Sequence, residues 1–200
     1  MTDHYFTSRP NAKENEKNFE VNLKGNKLKL YTDSGVFSKD RVDFGSQVLI
    51  ETIDPAVFPN EKVLDMGCGY GPIGLSLAKA YPGLTVQMVD VNERAISLAK
   101  KSAAENGIEN VEIYLSSIYE QVKEQTFGAV ISNPPIRAGK KVVHQIISDA
   151  YHHLAERGVL IIVIQKKQGA PSAEQKMHDV FGNVERIGLD KGYWVLQSFK

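Results

Sequence analysis

Apolar and polar residues alternate singly from Phe19 to Leu30. Phe19, Val21 and Leu23 share one face, and Leu28 and Leu30 resume the alternation after Gly25-Asn26. A period of two is the mark of a half-buried strand, and Gly-Asn between two such runs predicts a hairpin with a two-residue loop. Residues 34–46 are too polar for a core and lead into a short helix ending near Ile53, after which Pro55 and Pro59 interrupt the chain. From Lys62 the rhythm changes. Val63-Leu64 opens a buried strand, and Ile73, Leu77 and Ala80 stand at helical spacing, predicting a helix over 71–80. A strand follows over 85–89. Asn92 is placed to cap a helix that stops at Gly107. Strands are expected over 111–115 and 127–132, then a helix over about 139–157 ended by Gly158. The unbroken apolar run 159–164 is what a strand buried on both faces of a parallel sheet requires. A helix over about 172–180 and two strands over 184–188 and 193–199, joined at Leu189-Asp190-Lys191-Gly192, close the chain.

The alternation of strands and helices predicts an α/β fold: a mostly parallel sheet with an antiparallel C-terminal hairpin, preceded by an N-terminal β-hairpin extension. Residues 1–54 read as an N-terminal hairpin and extension, and residues 55–200 as the core, within one structural domain. Two hundred residues suffice for one well-buried domain. Formal net charge is zero, so a nucleic-acid partner has to be argued from local clusters and not from the total. One cysteine, Cys68, excludes an internal disulfide and fits a reducing compartment. No apolar run approaches the roughly 20 residues of a membrane helix. Met1 to Phe6 lacks the basic and apolar regions of a signal peptide. The expectation is a cytoplasmic protein without a membrane partner.

Candidate chemistry begins at Asp65-Met66-Gly67-Cys68-Gly69-Tyr70-Gly71, after the first strand of the alternating part and before a helix. Ligands of open α/β sheets bind at the carboxyl ends of strands, where strand order reverses. Glycines there admit a ligand close to the backbone. Asp90, ending the second strand, is placed to accept hydrogen bonds from a ribose diol. Gly69-Tyr70-Gly71-Pro72-Ile73-Gly74 also matches the dinucleotide pattern G-x-G-x-x-G. A nicotinamide cofactor is disfavoured because Asp65 would repel its pyrophosphate. A methionine-type ligand would instead offer Asp65 a positive end.

Asn133-Pro134-Pro135 ends the fourth strand. Two prolines stiffen the turn and remove N–H donors, so the stretch offers acceptors: the Asn133 side-chain oxygen and the Pro134 carbonyl. Such a cradle suits a planar conjugated amine. Two accepted hydrogen bonds would hold it and aim its lone pair at a methyl donor, so that catalysis is positioning and charge placement. Asn133, Pro134 and Pro135 are therefore the candidate catalytic residues.

Asp65-x-Gly67-x-Gly69-x-Gly71, then Asp90, then Asn133-Pro134-Pro135, resembles the class I S-adenosylmethionine-dependent methyltransferases that alkylate exocyclic or amide nitrogen. His4-Tyr5-Phe6, Gly35-Val36-Phe37-Ser38 and Asp43-x-Gly45-Ser46-Gln47 further resemble the catalytic half of bacterial 16S ribosomal RNA guanine-N2 methyltransferases. The resemblance implies a Rossmann-like sheet of seven strands ordered 3-2-1-4-5-7-6. It implies S-adenosylmethionine as cofactor, with Asp90 on the ribose, Asp65, Gly67, Gly69 and Gly71 at the methionine end, Val91 and Ser117 by the adenine, and Asn133 beside the methyl. It implies that residues 1–54 cover cofactor and substrate, with a substrate surface including Phe37, Ser38, Gln47, Ile136 and Arg137, and ribosomal RNA as partner. Related enzymes often carry a second, degenerate copy of the domain, so a homodimer supplying that surface is expected.

Two positions depart from the family. Ser117 stands where an acid often holds the adenine amine. Ile136 stands where an aromatic usually stacks on the base, leaving Phe37, Tyr119 or Trp194 as substitutes. A protein glutamine amide or a small molecule is the alternative acceptor. Arg137, Lys140, Lys141, Lys166 and Lys167 should gather at the carboxyl edge of the sheet, where an RNA backbone would need them. His144, the adjacent His152-His153, and His178 have no metal-ligand spacing, and no metal site is expected.

Overall fold

The computed structural model describes residues 15–34, 36 and 41–200. Strands β1 (Lys17–Leu23) and β2 (Asn26–Thr32) form a separate antiparallel hairpin. Helix α1 (Phe44–Thr52) follows. The alternating part comprises β3 (Lys62–Met66), α2 (Pro72–Ala80), β4 (Thr85–Asp90), α3 (Glu93–Glu105), β5 (Val111–Leu115) and β6 (Phe127–Ser132). It continues through α4 (Lys140–His153), β7 (Leu154–Gln165), α5 (Ala170–Phe181), β8 (Glu185–Asp190) and β9 (Tyr193–Phe199).

Seven strands make one sheet in the order β5-β4-β3-β6-β7-β9-β8. Counted from β3 this is 3-2-1-4-5-7-6, as the resemblance implies. The neighbours from β5 to β7 run parallel, and β9 pairs antiparallel with both β7 and β8. The chain winds outward from β3 to β5 and returns to β6 on the other side of β3, so the reversal of strand order opens a crevice at the carboxyl ends of β3 and β6.

Side chains on successive strand residues go to opposite faces, and β7 shows why its apolar run is unbroken. Val159, Ile161 and Val163 join the buried cluster that includes residues of α1, α2, α3 and the hairpin. Leu160, Ile162 and Ile164 join the cluster under α4 and α5. Leu23, Leu28 and Leu30 of the hairpin share the first cluster with Leu75, Leu77 and Ile96, so the N-terminal extension is built into the core of the sheet domain.

Boundaries differ from the sequence expectation at both hairpin loops and at the end of α4; the C-terminal loop narrows to Lys191-Gly192, because β8 runs on to Asp190 opposite Tyr193. The N-terminal hairpin loop is Lys24-Gly25 (φ 50° and 75°), and Asn26 already pairs with Leu23. A two-residue turn with positive φ at both positions matches the twist of the strands. Lys24 is held in this conformation by the end of α1: its Nζ donates to the carbonyls of Glu51 (3.0 Å) and Ile53 (2.8 Å), and its N–H donates to the Glu51 carboxylate. The helix expected over 139–157 ends at His153. Leu154 continues its apolar stripe but is the first residue of β7, paired with Phe127. A helical stripe and a buried strand start look alike at a single leucine.

Candidate active site

A cavity of about 660 Å³ lies at the carboxyl ends of β3, β4, β5 and β6. Its wall is assembled from four loops. The first leaves β3 at Met66. The N–H groups of Gly67 and Cys68 both reach the Val89 carbonyl at 2.9 Å, turning the chain sharply away from the sheet. Gly67 and Gly69 have φ of 73° and 57°, and a Cβ on either would meet no atom within 4 Å. The backbone thus bares itself to the cavity, where other side chains would both strain the turn and fill the space. Gly71 caps α2 and Pro72 opens it.

Asp90 pins this loop. One carboxylate oxygen accepts the Gly69 N–H and the other the Asn92 N–H, each at 2.9 Å. Burial raises its pKa, and hydrogen bonds from the backbone of Asn92, Gly69 and Val91 pull the other way. Each oxygen keeps an acceptor position, and the side chain lines the cavity beside Val91. A vicinal diol fits that carboxylate. Ser117 lines the wall after β5. Its neighbour Ser116 is committed internally, donating to the Ile118 carbonyl at 2.7 Å and accepting from the Gln121 N–H at 3.1 Å.

Asp65 was expected to face the ligand, and it does not. Leu64 and Met66 point to the α4 and α5 side, so the pleat sends Asp65 toward α2. It is fully buried, its Oδ2 accepts the Gly74 N–H at 2.8 Å, and its Oδ1 has no partner among the described residues. Burial pushes this carboxyl up to about 7, against the Gly74 hydrogen bond and with help from Asp90. It holds the first turn of α2 from beneath the glycine loop.

Asn133, Pro134 and Pro135 line the cavity at the end of β6, where the Ser132 hydroxyl ties the strand to the Met66 carbonyl (2.7 Å). The Asn133 Nδ2 donates to Asp43 Oδ1 (3.1 Å) and Ser46 Oγ (3.0 Å). Asp43 Oδ1 also accepts the Ser46 N–H at 3.0 Å as the N-cap of α1. A carboxylate only accepts, so the amide nitrogen must face Asp43 and the amide oxygen must face away from it. The Pro135 carbonyl is taken by the Ala138 N–H (2.9 Å), closing a single 3-10 turn over Ile136–Ala138 that carries Ile136 and Arg137 on the cavity wall.

Gln47 does not line the cavity. Its Nε2 donates to the Val42 carbonyl at 2.7 Å and steadies the entry to α1. Of the aromatic substitutes, Tyr119 is buried with its hydroxyl on the Ile146 carbonyl and its ring stacked on His153. Trp194 is buried under the Arg186 guanidinium, 3.5 Å from its ring. Neither reaches the site. Phe37 and Ser38 lie outside the described residues, as do His4-Tyr5-Phe6 and Gly35. Two aromatics line the cavity: Tyr70, buried in the glycine loop with its hydroxyl on the Arg41 carbonyl, and Tyr193, on the side of Asp43 and Ser46. Tyr193, Asp43 and Ser46 are not among the site residues the sequence suggests; Asp43 and Ser46 enter there only as part of a motif. Arg137, Lys140, Lys141, Lys166 and Lys167 are all exposed, on the turn after Asn133, the start of α4 and the turn after β7. His144 is bonded to Ser172 and His153 to the Glu124 carbonyl. Among the described residues no helix is long and apolar enough to cross a membrane.

Comparison with known proteins agrees with this architecture. The model of the family described as Methyltransferase small domain matches residues 27–197. The Bacillus subtilis protein YbxB, described as uncharacterized, is 47% identical over 202 residues covering all of both chains. Ribosomal RNA small subunit methyltransferase C of Escherichia coli is 36% identical over 188 residues, 90% of this chain and 53% of that protein. The T. thermophilus 16S rRNA N2 G1207 methyltransferase, solved with AdoMet and guanosine, superposes with a TM-score of 0.82 at 24% identity, over 92% of this chain and 50% of that one. The chain spans about half the length of these ribosomal methyltransferases.

Proposed function

The chain belongs to the methyltransferase small domain family and is a class I S-adenosylmethionine-dependent methyltransferase; on that premise we propose that its acceptor is a planar exocyclic amine, guanine N2 of small-subunit ribosomal RNA. The observation that carries the proposal is the fixed orientation of the Asn133 amide. Its oxygen is left as an acceptor for an amine N–H, beside a Pro134 carbonyl. The Asp43 carboxylate behind the amide polarises it toward the oxygen, which strengthens the acceptor as positive charge develops on the amine.

The cofactor's fit rests on the chain's own groups: the backbone bared at Gly67 and Gly69, and the Asp90 carboxylate placed for a diol. When bound, S-adenosylmethionine supplies an electrophilic methyl. The protein needs no strong base, because the amine is held with both N–H groups engaged and loses its proton after methylation. RNA as partner is supported by the exposed cations around the cavity mouth and by the names of the relatives. At neutral overall charge, such a cluster confers salt-dependent contact with a phosphate backbone.

The test is transfer of labelled methyl from S-adenosylmethionine to small-subunit RNA, offered both naked and assembled, followed by nucleoside analysis. N2-methylguanosine in a label removed by ribonuclease is expected. Label that resists ribonuclease and yields to protease would place the acceptor on a protein amide and overturn the proposal.

A further inference from the structure

The geometry points to Tyr193 as the aromatic wall of the acceptor-base pocket, replacing the ring that Ile136 does not provide; the inference rests on the amine-methyltransferase reading above. Ile136 is a partly buried aliphatic residue packed against the core under α4. Tyr193 opens β9 opposite Gln165, so it stands at the carboxyl end of β7 and reaches the same cavity as Asn133.

The space beside Gly45 places the ring near the carboxylate that holds the acceptor amide. A Cβ on Gly45 would lie 2.8 Å from Tyr193 Cε1, 3.0 Å from Cδ1 and 3.2 Å from Asp43 Oδ1. The ring edge and the Asp43 carboxylate therefore converge on one point, and that same carboxylate oxygen is 3.1 Å from Asn133 Nδ2. Gly45 is the residue that lets the ring approach so closely. The ring's attitude is set from behind by Phe44, whose centroid is 5.7 Å away at an interplanar angle of 60°. Lys191 Nζ lies 4.4 Å from the Phe44 centroid, extending the exposed cations to this side of the mouth.

Tyr193 is only half-buried, so apolar ring surface faces a polar-rimmed cavity, and a planar occupant removes that surface from water. The Tyr193 hydroxyl bonds to no described residue, so packing against Gly45 and Phe44 sets the ring's position. Stacking on the ring fixes the plane of a purine while Asn133 holds the amine.

The experiment uses 2-aminopurine riboside, a fluorescent purine with its amine at the same ring position as guanine N2 and quenched by stacking. Quenching is titrated in the presence of S-adenosylhomocysteine with wild type, Tyr193→Phe and Tyr193→Ala, alongside calorimetric S-adenosylhomocysteine binding and KM for RNA. Wild type and Tyr193→Phe should quench. Tyr193→Ala should bind the riboside about 5- to 150-fold more weakly, the range of base–aromatic stacking, and show a similar rise in KM, with S-adenosylhomocysteine affinity retained. Riboside binding and KM within about twofold of wild type in Tyr193→Ala would overturn the inference. So would parallel loss of S-adenosylhomocysteine binding, or failure of Tyr193→Phe to restore quenching. Tyr193-dependent quenching without methyl transfer to RNA would sustain this wall and sink the RNA reading. Transfer indifferent to Tyr193→Ala would do the reverse.

Discussion

Replacing Asp65 with asparagine should stabilise the fold at alkaline pH and change it little at acid pH. Asp65 is wholly buried, with one oxygen on the Gly74 N–H and the other unpartnered among the described residues, and its carboxyl is pushed up to about 7 by burial. In the unfolded chain it titrates near 3.8. Between these values the folded state holds a proton that the unfolded state has released. Stability therefore falls as pH rises from about 4 through about 7, and is level above that. A difference of about 3 pH units corresponds to on the order of 4 kcal/mol by pH 8.5. Asparagine keeps the acceptor for Gly74 and carries no charge, but its buried NH2 is unsatisfied at a cost of about 1–3 kcal/mol. The net expectation is a gain of order 1–3 kcal/mol at pH 8.5, several degrees in Tm for a domain of this size at about 2–4 °C per kcal/mol. At pH 5, where Asp65 is already neutral, wild type and variant should agree within about 1 kcal/mol. Urea unfolding at both pH values measures this. An equal difference at pH 5 and pH 8.5 would refute the reasoning, because it would mean that no buried carboxylate charge is being relieved.

Two further substitutions separate the roles assigned around the cavity. Asp43→Ala removes the oxygen that accepts both Asn133 Nδ2 and the Ser46 N–H; kcat should fall about 10- to 100-fold with about 1 kcal/mol lost from the α1 cap, and an unchanged kcat would dismiss the clamp. Asp90→Ala removes the diol acceptor and the pins on Gly69 and Asn92; S-adenosylhomocysteine affinity measured by calorimetry should drop about 30-fold, taking about 2 kcal/mol for hydrogen bonds to a charged group, and wild-type affinity would remove Asp90 from the site.

The sheet was legible because its information is local. Runs such as Val63-Leu64 and 159–164 declare buried strands, and Asn92 and Gly107 mark the ends of α3. The glycine loop and Asn133 were legible for the same reason: each is a short stretch whose position at a strand end implies a cavity. What was missed lies in pleat phase and long-range pairing. Asp65 and Met66 differ by one residue, and only the pleat says which of them faces the site. Asn133 meets Asp43 across 90 residues of sequence, and nothing near either residue announces the other. Trp194 drew attention as an aromatic while its neighbour Tyr193, on the opposite side of β9, is the one in the cavity.

The most direct test of the central claim is single-turnover methyl transfer by Asn133→Ala, with S-adenosylhomocysteine titrated into the same preparation. If the amide oxygen holds the acceptor amine as its charge develops, transfer should fall by about 100-fold or more while S-adenosylhomocysteine binds within about twofold of wild type. Transfer within a few-fold of wild type, with binding intact, would contradict the account.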